Sequence, residues 1–178
     1  MCLDLTKAEI AREDITCYKI VRFVTNDYVL TPLRDMPIMK EELSGERNFT
    51  SEKTRMRFWI NESNGRLEAD LLNGFGCLIG HIEAPEEVSE GFIHCYGTLK
   101  DVALDWAWWQ RVCDKPIKQP LRLEVYRCVI PKGTLVCYGK FGGTDSLSAE
   151  QIRFVEKIDF YSTPEYRMYV DWSSPGIA

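Results

Sequence analysis

The sequence predicts an α+β domain of mostly antiparallel, twisted sheet, with one long amphipathic helix over 99–113 and short helices elsewhere. Three observations predict it. Runs rich in β-branched and aromatic residues recur, as in Ile15–Val24 and Arg122–Ile130. One long stretch has helical spacing: Leu99, Val102, Ala103, Trp106, Trp109 and Cys113 fall on one stripe. Strands and helices do not alternate as regular βαβ units do, which excludes a doubly wound parallel sheet.

The elements follow in order. Thr6 with Glu9 reads as a capping box for a short helix over 7–12. Ile15–Val24 is a strand. The two prolines and turn residues of 31–45 make a loop with one helical turn. Residues 55–60 alternate, with Met56, Phe58 and Ile60 opposite Arg55, Arg57 and Trp59, as a half-buried strand does. Asn61–Gly65 is a turn. Leu67, Leu71 and Leu72 fit a short helix ending near Gly74, and Phe75–Ile79 then reads as a strand.

An acidic loop, Glu83–Glu90, precedes a short strand at 92–96. Thr98 is the N-cap of the long helix, which Lys115-Pro116 ends. Arg122–Ile130 alternates as a strand. Pro131-Lys132-Gly133 is a tight turn, read as type I, and Leu135–Phe141 returns. Gly142-Gly143 breaks that strand, Ser146–Gln151 reads as one helical turn, and Ile152–Ile158 and Glu165–Trp172 are strands.

The 178 residues fit a single domain, 1–178, without repeats or a Gly/Ser/Pro-rich linker. The net charge of −5 argues against a duplex nucleic-acid partner, which needs a basic face. The one basic cluster, Arg47, Lys53, Arg55 and Arg57, is broken by Glu46 and Glu52 and suits a solvated surface or one phosphate-bearing ligand. Seven cysteines, odd in number and without a CxxC pair, point to a reducing cytoplasm. The start, Met1-Cys2-Leu3-Asp4, has no basic apolar leader, and no apolar run reaches membrane-spanning length. The expected location is therefore cytoplasmic, without a membrane partner.

Several residues invite a chemical reading. Gly74–Gly80 is spaced GxGxxxG and lacks the strand-before, helix-after setting of a dinucleotide loop, so a flexible turn is the plainer reading. The two histidines, His81 and His94, stand without a paired carboxylate motif or CxxC, which sets a zinc site aside. His94 is either a hydrogen-bonded core residue or a cleft histidine that titrates near neutrality. Cys95 sits beside it, but neighbours on a strand face opposite sides, so a Cys–His nucleophile is disfavoured. Glu156 lies in phase with Ile152, Phe154 and Ile158, and an edge position or ion pair accounts for it. Glu150 is read as a helix-turn residue or a cleft acid. Leu104 and Trp108 fall off the helix stripe, as exposed residues or a partner patch.

Gly-Phe-Ile-His-Cys at 91–95, the run Tyr126–Thr134 and Ser148–Ile152 resemble segments of small uncharacterised phage and prophage proteins of gut bacteria, as does the opening Ile10–Lys19. The likeness covers about two-thirds of the chain and carries no activity with it. The order of these blocks also resembles, more distantly, the ADP-ribosyltransferase fold. That resemblance implies a cleft in which Tyr18, Lys19 or Arg22 and then His94 and Tyr96 hold a nicotinamide cofactor, while Glu150 acts on the ribose. The chain departs from the family's pattern. It lacks Ser-Thr-Ser and Glu-x-Glu, and its first motif reads Tyr-Lys instead of Tyr-Arg.

The resulting expectation is a phage-type protein that binds a small nucleotide-like ligand, with His94 and Glu150 as catalytic residues and Tyr18, Arg22, His94 and Tyr96 as ligand-binding residues. It expects no metal and no tightly bound cofactor, and NAD as the substrate if ADP-ribose is transferred. The alternative is an anti-defence binder without chemistry that sequesters a signalling nucleotide or blocks a host protein.

Overall fold

The computed structural model describes residues 3–32, 34–51, 56–88, 91–113 and 122–171. Expectations that rest on Cys2, Glu52, Lys53, Arg55, Glu90, Lys115-Pro116 and Trp172 fall outside the described residues. The strands are β1 (Leu3–Ile10), β2 (Ile15–Thr25), β3 (Tyr28–Leu30), β4 (Pro37–Ile38), β5 (Phe49–Thr50), β6 (Met56–Ile60) and β7 (Leu67–Leu72). They continue as β8 (Leu78–Glu83), β9 (Glu87–Val88), β10 (Ile93–Cys95), β11 (Arg122–Ile130), β12 (Leu135–Phe141), β13 (Thr144–Ala149) and β14 (Gln151–Ile158). The helices are α1 (Lys40–Leu43) and α2 (Leu99–Cys113), followed by a 3-10 turn, Phe160–Ser162, and a π-helical segment, Tyr166–Asp171.

The chain forms two compact units, each from discontinuous segments. One comprises 1–15, 50–95 and 129–152, and the other 16–49, 96–128 and 153–178. The first unit holds a five-stranded sheet, β10-β13-β12-β1-β9, and a three-stranded sheet, β6-β7-β8. Every strand pair in them is antiparallel. The second unit is built on the sheet β4-β3-β2-β11-β14-β5. Mixed α and β structure with mostly antiparallel sheets is thus the architecture.

In the second unit α2 packs by its apolar stripe, with Val102, Ala103, Trp106, Trp109 and Cys113 buried. Trp106 packs against Phe160, with ring centres 4.7 Å apart and the planes tilted. Thr98 caps the helix, its Oγ1 accepting from the Asp101 N–H at 3.2 Å. Leu104 is exposed, while Trp108 is half-buried and set edge-on to Trp109. Glu156 is exposed and accepts from Arg127 Nε at 3.0 Å, the ion pair expected for an acid at that position.

Five local expectations are overturned. Residues 7–12 do not form a helix, because β1 runs through Ile10 and pairs along its length with β12. Leu67–Leu72 is the central strand of the three-stranded sheet, with Leu67 and Ala69 buried on one face. Its three leucines have helical spacing by coincidence, and pairing on both sides decides the conformation. Residues 73–77 are a turn in which Asn73 Oδ1 accepts from the N–H groups of Phe75 and Cys77, both at 2.9 Å, so β8 starts only at Leu78.

Residues 146–149 are strand β13, joined to β12 by Gly142-Gly143. Those glycines have φ of +57° and +88°, the positive pair that a tight two-residue hairpin turn demands. Tyr166–Asp171 is helical, with Val170 buried and Met168 exposed, so its alternating pattern is not a pleat. One turn also shifts register. The Thr134 N–H donates to Pro131 O at 3.2 Å, and Gly133, at φ +87°, takes the third position that type II reserves for glycine.

The six described cysteines form no disulfide, and five are buried. No helix among the described residues is long and apolar enough to cross a membrane.

Candidate functional site

The register of the three-stranded sheet sorts its side chains onto two faces. One face is apolar: Phe58, Ala69 and Ile82 lie side by side, as do Met56, Leu71 and Gly80. The other is polar. Arg57, Asp70 and His81 form one cross-strand row, and Trp59, Glu68 and Glu83 form the next. Six side chains that could bear charge or stack are thus set in a grid of two rows by three strands.

Within the grid the contacts are specific. Arg57 Nη2 donates to Asp70 Oδ2 at 2.9 Å, and His81 Nδ1 lies 3.1 Å from Asp70 Oδ1. A carboxylate only accepts, so Nδ1 carries the proton and the free lone pair of a neutral ring is on Nε2. Nε2 faces Glu68 Oε1 at 3.7 Å, while Glu68 Oε2 accepts from Asn61 Nδ2 at 3.1 Å. Trp59 reaches from β6 to His81, with ring centres 5.3 Å apart. To do so it crosses β7, which explains why the side chains of Glu68 and Asp70 are only 13% and 12% exposed.

One donor atom each from Glu68, His81 and Glu83 lie within 4.8 Å of one another. Two ligands on one ion with bonds of about 2.1 Å stand no more than about 4.2 Å apart, so small side-chain rotations close the set. Asp70 would then hold the ring from behind, as carboxylates do for metal-bound histidines. The premise that set a metal aside fails here. Glu68 and Asp70 reach His81 through the antiparallel pairing of β7 with β8, and Glu83 lies two residues along its own strand.

The electrostatics agree. The hydrogen bond to Asp70, then the charges of Glu68, Asp70 and Glu83, raise the His81 pKa above its ordinary 6.5, against a smaller opposing effect of desolvation. The Arg57 hydrogen bond, helped by His81, lowers that of Asp70. Three acceptors converge on one point, and a proton or a cation there relieves their repulsion. Because the folded His81 pKa is raised, its stabilising contribution is complete below the unfolded value and fades as pH rises through the folded one. We expect His81→Gln to lose stability relative to the wild type near pH 5.5 and to narrow that deficit near pH 8.5, read from urea midpoints. An equal deficit at both values would refute the coupling.

The residues singled out in sequence fall elsewhere. His94 and Glu150 belong to the first unit. His94 on β10 pairs with Ser148 on β13, and Glu150 follows the last residue of β13. The two therefore lie at the same end of the five-stranded sheet. His94 rests on Phe141, ring centres 4.4 Å apart. Glu150 is exposed, yet partial desolvation raises its carboxyl pKa. Ser148 also pairs with Cys137, whose thiol is pushed up to about 12 by burial and by the charge of Glu150, so it stays protonated. Cys95 is buried too.

Tyr18, Arg22 and Tyr96 belong to the second unit. The backbones of Tyr18 and Tyr96 bond to each other at 2.8 and 2.9 Å. Arg22 is buried and donates to Asp35 through Nη2. Tyr96 is 1% exposed, and its hydroxyl is committed to the core: it donates to Asp105 Oδ2 at 2.6 Å and accepts from Trp109 Nε1 at 2.7 Å.

Sequence reasoning missed Glu68 and Asp70, set His81 aside as a metal ligand and read Glu83 only as the start of an acidic loop. Their signal was present as Glu68-Ala69-Asp70 and His81-Ile82-Glu83, two polar–apolar–polar triplets with the period of a strand. No family model matches the chain, and no match is found among curated proteins or solved structures.

Proposed function

We propose that the chain binds one divalent transition-metal ion on the polar face of the three-stranded sheet. Glu68, Glu83 and Nε2 of His81 are the ligands, and Asp70 is the positioning residue. The convergence of those three donors within 4.8 Å, with the ring already oriented by Asp70, carries the reading. One imidazole with two carboxylates suits zinc, manganese or iron(II) better than calcium or magnesium, which take oxygen ligands. With three protein ligands, a bound ion would keep positions for water or a substrate oxygen and could act there as a Lewis acid. Trp59 covers one side of the grid, and the exposed Arg57 supplies a cation at its edge.

The test is calorimetric titration of metal-free protein with zinc and with manganese. A Cys77→Ser background removes the one exposed thiol among the described residues. We expect one ion per chain, and Glu68→Gln and His81→Gln each to weaken binding by about 100-fold or more, as loss of a ligand should. Asp70→Asn should weaken it by about 10-fold, as loss of an orienting partner does. Because the ion displaces a proton from Nε2, apparent affinity should rise with pH through the raised His81 value. An affinity that both ligand variants leave unchanged would sink the proposal.

A second reading rests on the β10–β13 register, which brings His94 and Glu150 to one end of a sheet. We propose for them the nucleotide-like ligand implied by the resemblance, with transfer of ADP-ribose from NAD as the reaction. Glu150, its carboxyl pKa raised, would face the ribose, and His94 would bind a ligand oxygen. Nicotinamide release from NAD that disappears in Glu150→Gln supports this reading, and NAD left intact by the wild type removes it.

A further inference from the structure

The first unit contains an open cavity of about 530 Å³, shared by β1, the end of β6 and the turn after β11. That volume lies within the usual range for small-molecule sites. Its rim carries two cations, Arg12 and Lys132. Neither makes an ion pair with a described residue. The carboxylate beside them, Glu9, pairs with Lys7 at 3.0 Å; the Lys7 hydrogen bond leads the effects that lower its pKa, and the charge of Arg12 is the last of them.

Both cations stand on fixed backbone. The Ala11 N–H donates to Thr134 O at 2.9 Å, the Gly133 N–H to Ala11 O at 2.8 Å, and the Lys132 N–H to Asp14 Oδ1 at 2.9 Å. The turn bearing Lys132 is thereby pinned to the segment bearing Arg12.

Apart from Glu9 and the two cations, the walls are apolar or bare. Ile10 is 47% exposed, a high value for an isoleucine, and Ile60 is half-buried. A Cβ placed on Gly65 or Gly133 would meet nothing within 4 Å, so both glycines open onto free space. Apolar walls beneath two cations that make no ion pair with a described residue match an amphipathic anion, whose apolar body the isoleucines shield while the cations hold its head.

We propose that this cavity is a binding site for a small organic anion, with a flat apolar body and a phosphate or carboxylate head. Arg12 and Lys132 bind the head, and Ile10 and Ile60 bind the body. The site shares no residue with the metal grid and does not depend on it.

The experiment is titration of the full chain with phenyl phosphate in excess EDTA, so that no metal contributes, followed by calorimetry and by NMR. Benzoate replaces phenyl phosphate in a second series to separate the two head groups. We expect saturable binding of at least one of them below about 1 mM, and much weaker binding of benzyl alcohol and of inorganic phosphate. Arg12→Gln and Lys132→Gln are exposed substitutions that should leave the fold intact, and each should weaken binding by about 5–10-fold. Affinity should fall as salt is raised. No saturable binding of either anion below about 5 mM overturns the proposal, as do affinities that both variants leave unchanged. Inorganic phosphate that binds as tightly as phenyl phosphate overturns it as well, because the apolar walls would then contribute nothing.

Discussion

Gly139→Ala is expected to destabilise the chain by about 3 kcal/mol or more, because the added methyl has no room and its obstacle is backbone. A Cβ at Gly139 would sit 1.9 Å from the carbonyl oxygen of Asp4 and 2.8 Å from its carbonyl carbon. Gly139 pairs with Leu5 on β1, next to the point where the register shifts between Leu5 and Lys7. The irregularity draws β1 unusually close to β12. A side chain could rotate away, but a carbonyl cannot without opening the ladder between these two inner strands of the five-stranded sheet. Gly74→Ala is the control: nothing lies within 4 Å of its Cβ position, so its effect should stay within about 0.5 kcal/mol. Urea midpoints for both variants check this. A Gly139→Ala protein as stable as the Gly74→Ala protein would mean that β1 and β12 do not approach as described.

The same strand pair shows what local sequence could and could not reveal. Strands β2, β6, β11, β12 and β14 and helix α2 were legible because local pattern and tertiary demand coincide there. In β6, Met56, Phe58 and Ile60 alternate with Arg57 and Trp59, and the sheet uses that alternation directly. In β1 the two disagree. Thr6 and Glu9 have the spacing of a helix cap, but Glu9 pairs with Lys7 two residues back, an arrangement suited to an extended strand. In β7 the leucines imitate a helix, and only pairing with β6 and β8 decides otherwise. Long-range partners of that kind leave no local trace.

The polar grid was hidden for a related reason. Asp70 and His81 are 11 residues apart and meet because β7 and β8 pair antiparallel around the Asn73 turn. Metal motifs readable in sequence usually rely on short fixed spacings, such as one helix turn or a CxxC knuckle. A site written across a hairpin depends on register, and a shift of β8 by one residue would send His81 and Glu83 to the face opposite Glu68. Once 66–72 is read as a helix, Glu68 and Asp70 cannot share a face with His81 and Glu83. That reading hid Glu68 and Asp70, and ending the next strand at Ile79 left His81 and Glu83 outside any strand.

Tyr96→Phe is expected to cost about 3 kcal/mol, and its interest lies in separating a core role from a binding role. The resemblance to the ADP-ribosyltransferase fold implies that Tyr96 binds the ligand. Its hydroxyl instead joins the strand segment to α2, donating to Asp105 and accepting from Trp109. Burial first, and then the Asp105 hydrogen bond, raise its pKa, so the proton stays on the phenol and the donation is permanent. Asp105 is buried on the inner side of an otherwise apolar stripe, so the hydroxyl also helps offset the cost of enclosing that carboxyl group. Removing one oxygen takes a bond from both partners, and a buried group that loses its bond costs more than the bond itself contributed. Asp105→Asn should be destabilising as well, and the double variant should cost less than the sum of the two, since both disrupt one network. Zinc affinity at the three-stranded sheet should be unchanged in every one of these variants under conditions where they remain folded. Were Tyr96 a ligand-binding residue, Tyr96→Phe would keep the wild-type urea midpoint and lose affinity for the nucleotide-like ligand instead. The two roles predict opposite pairs of results, so one chemical denaturation curve beside one binding curve assigns the residue.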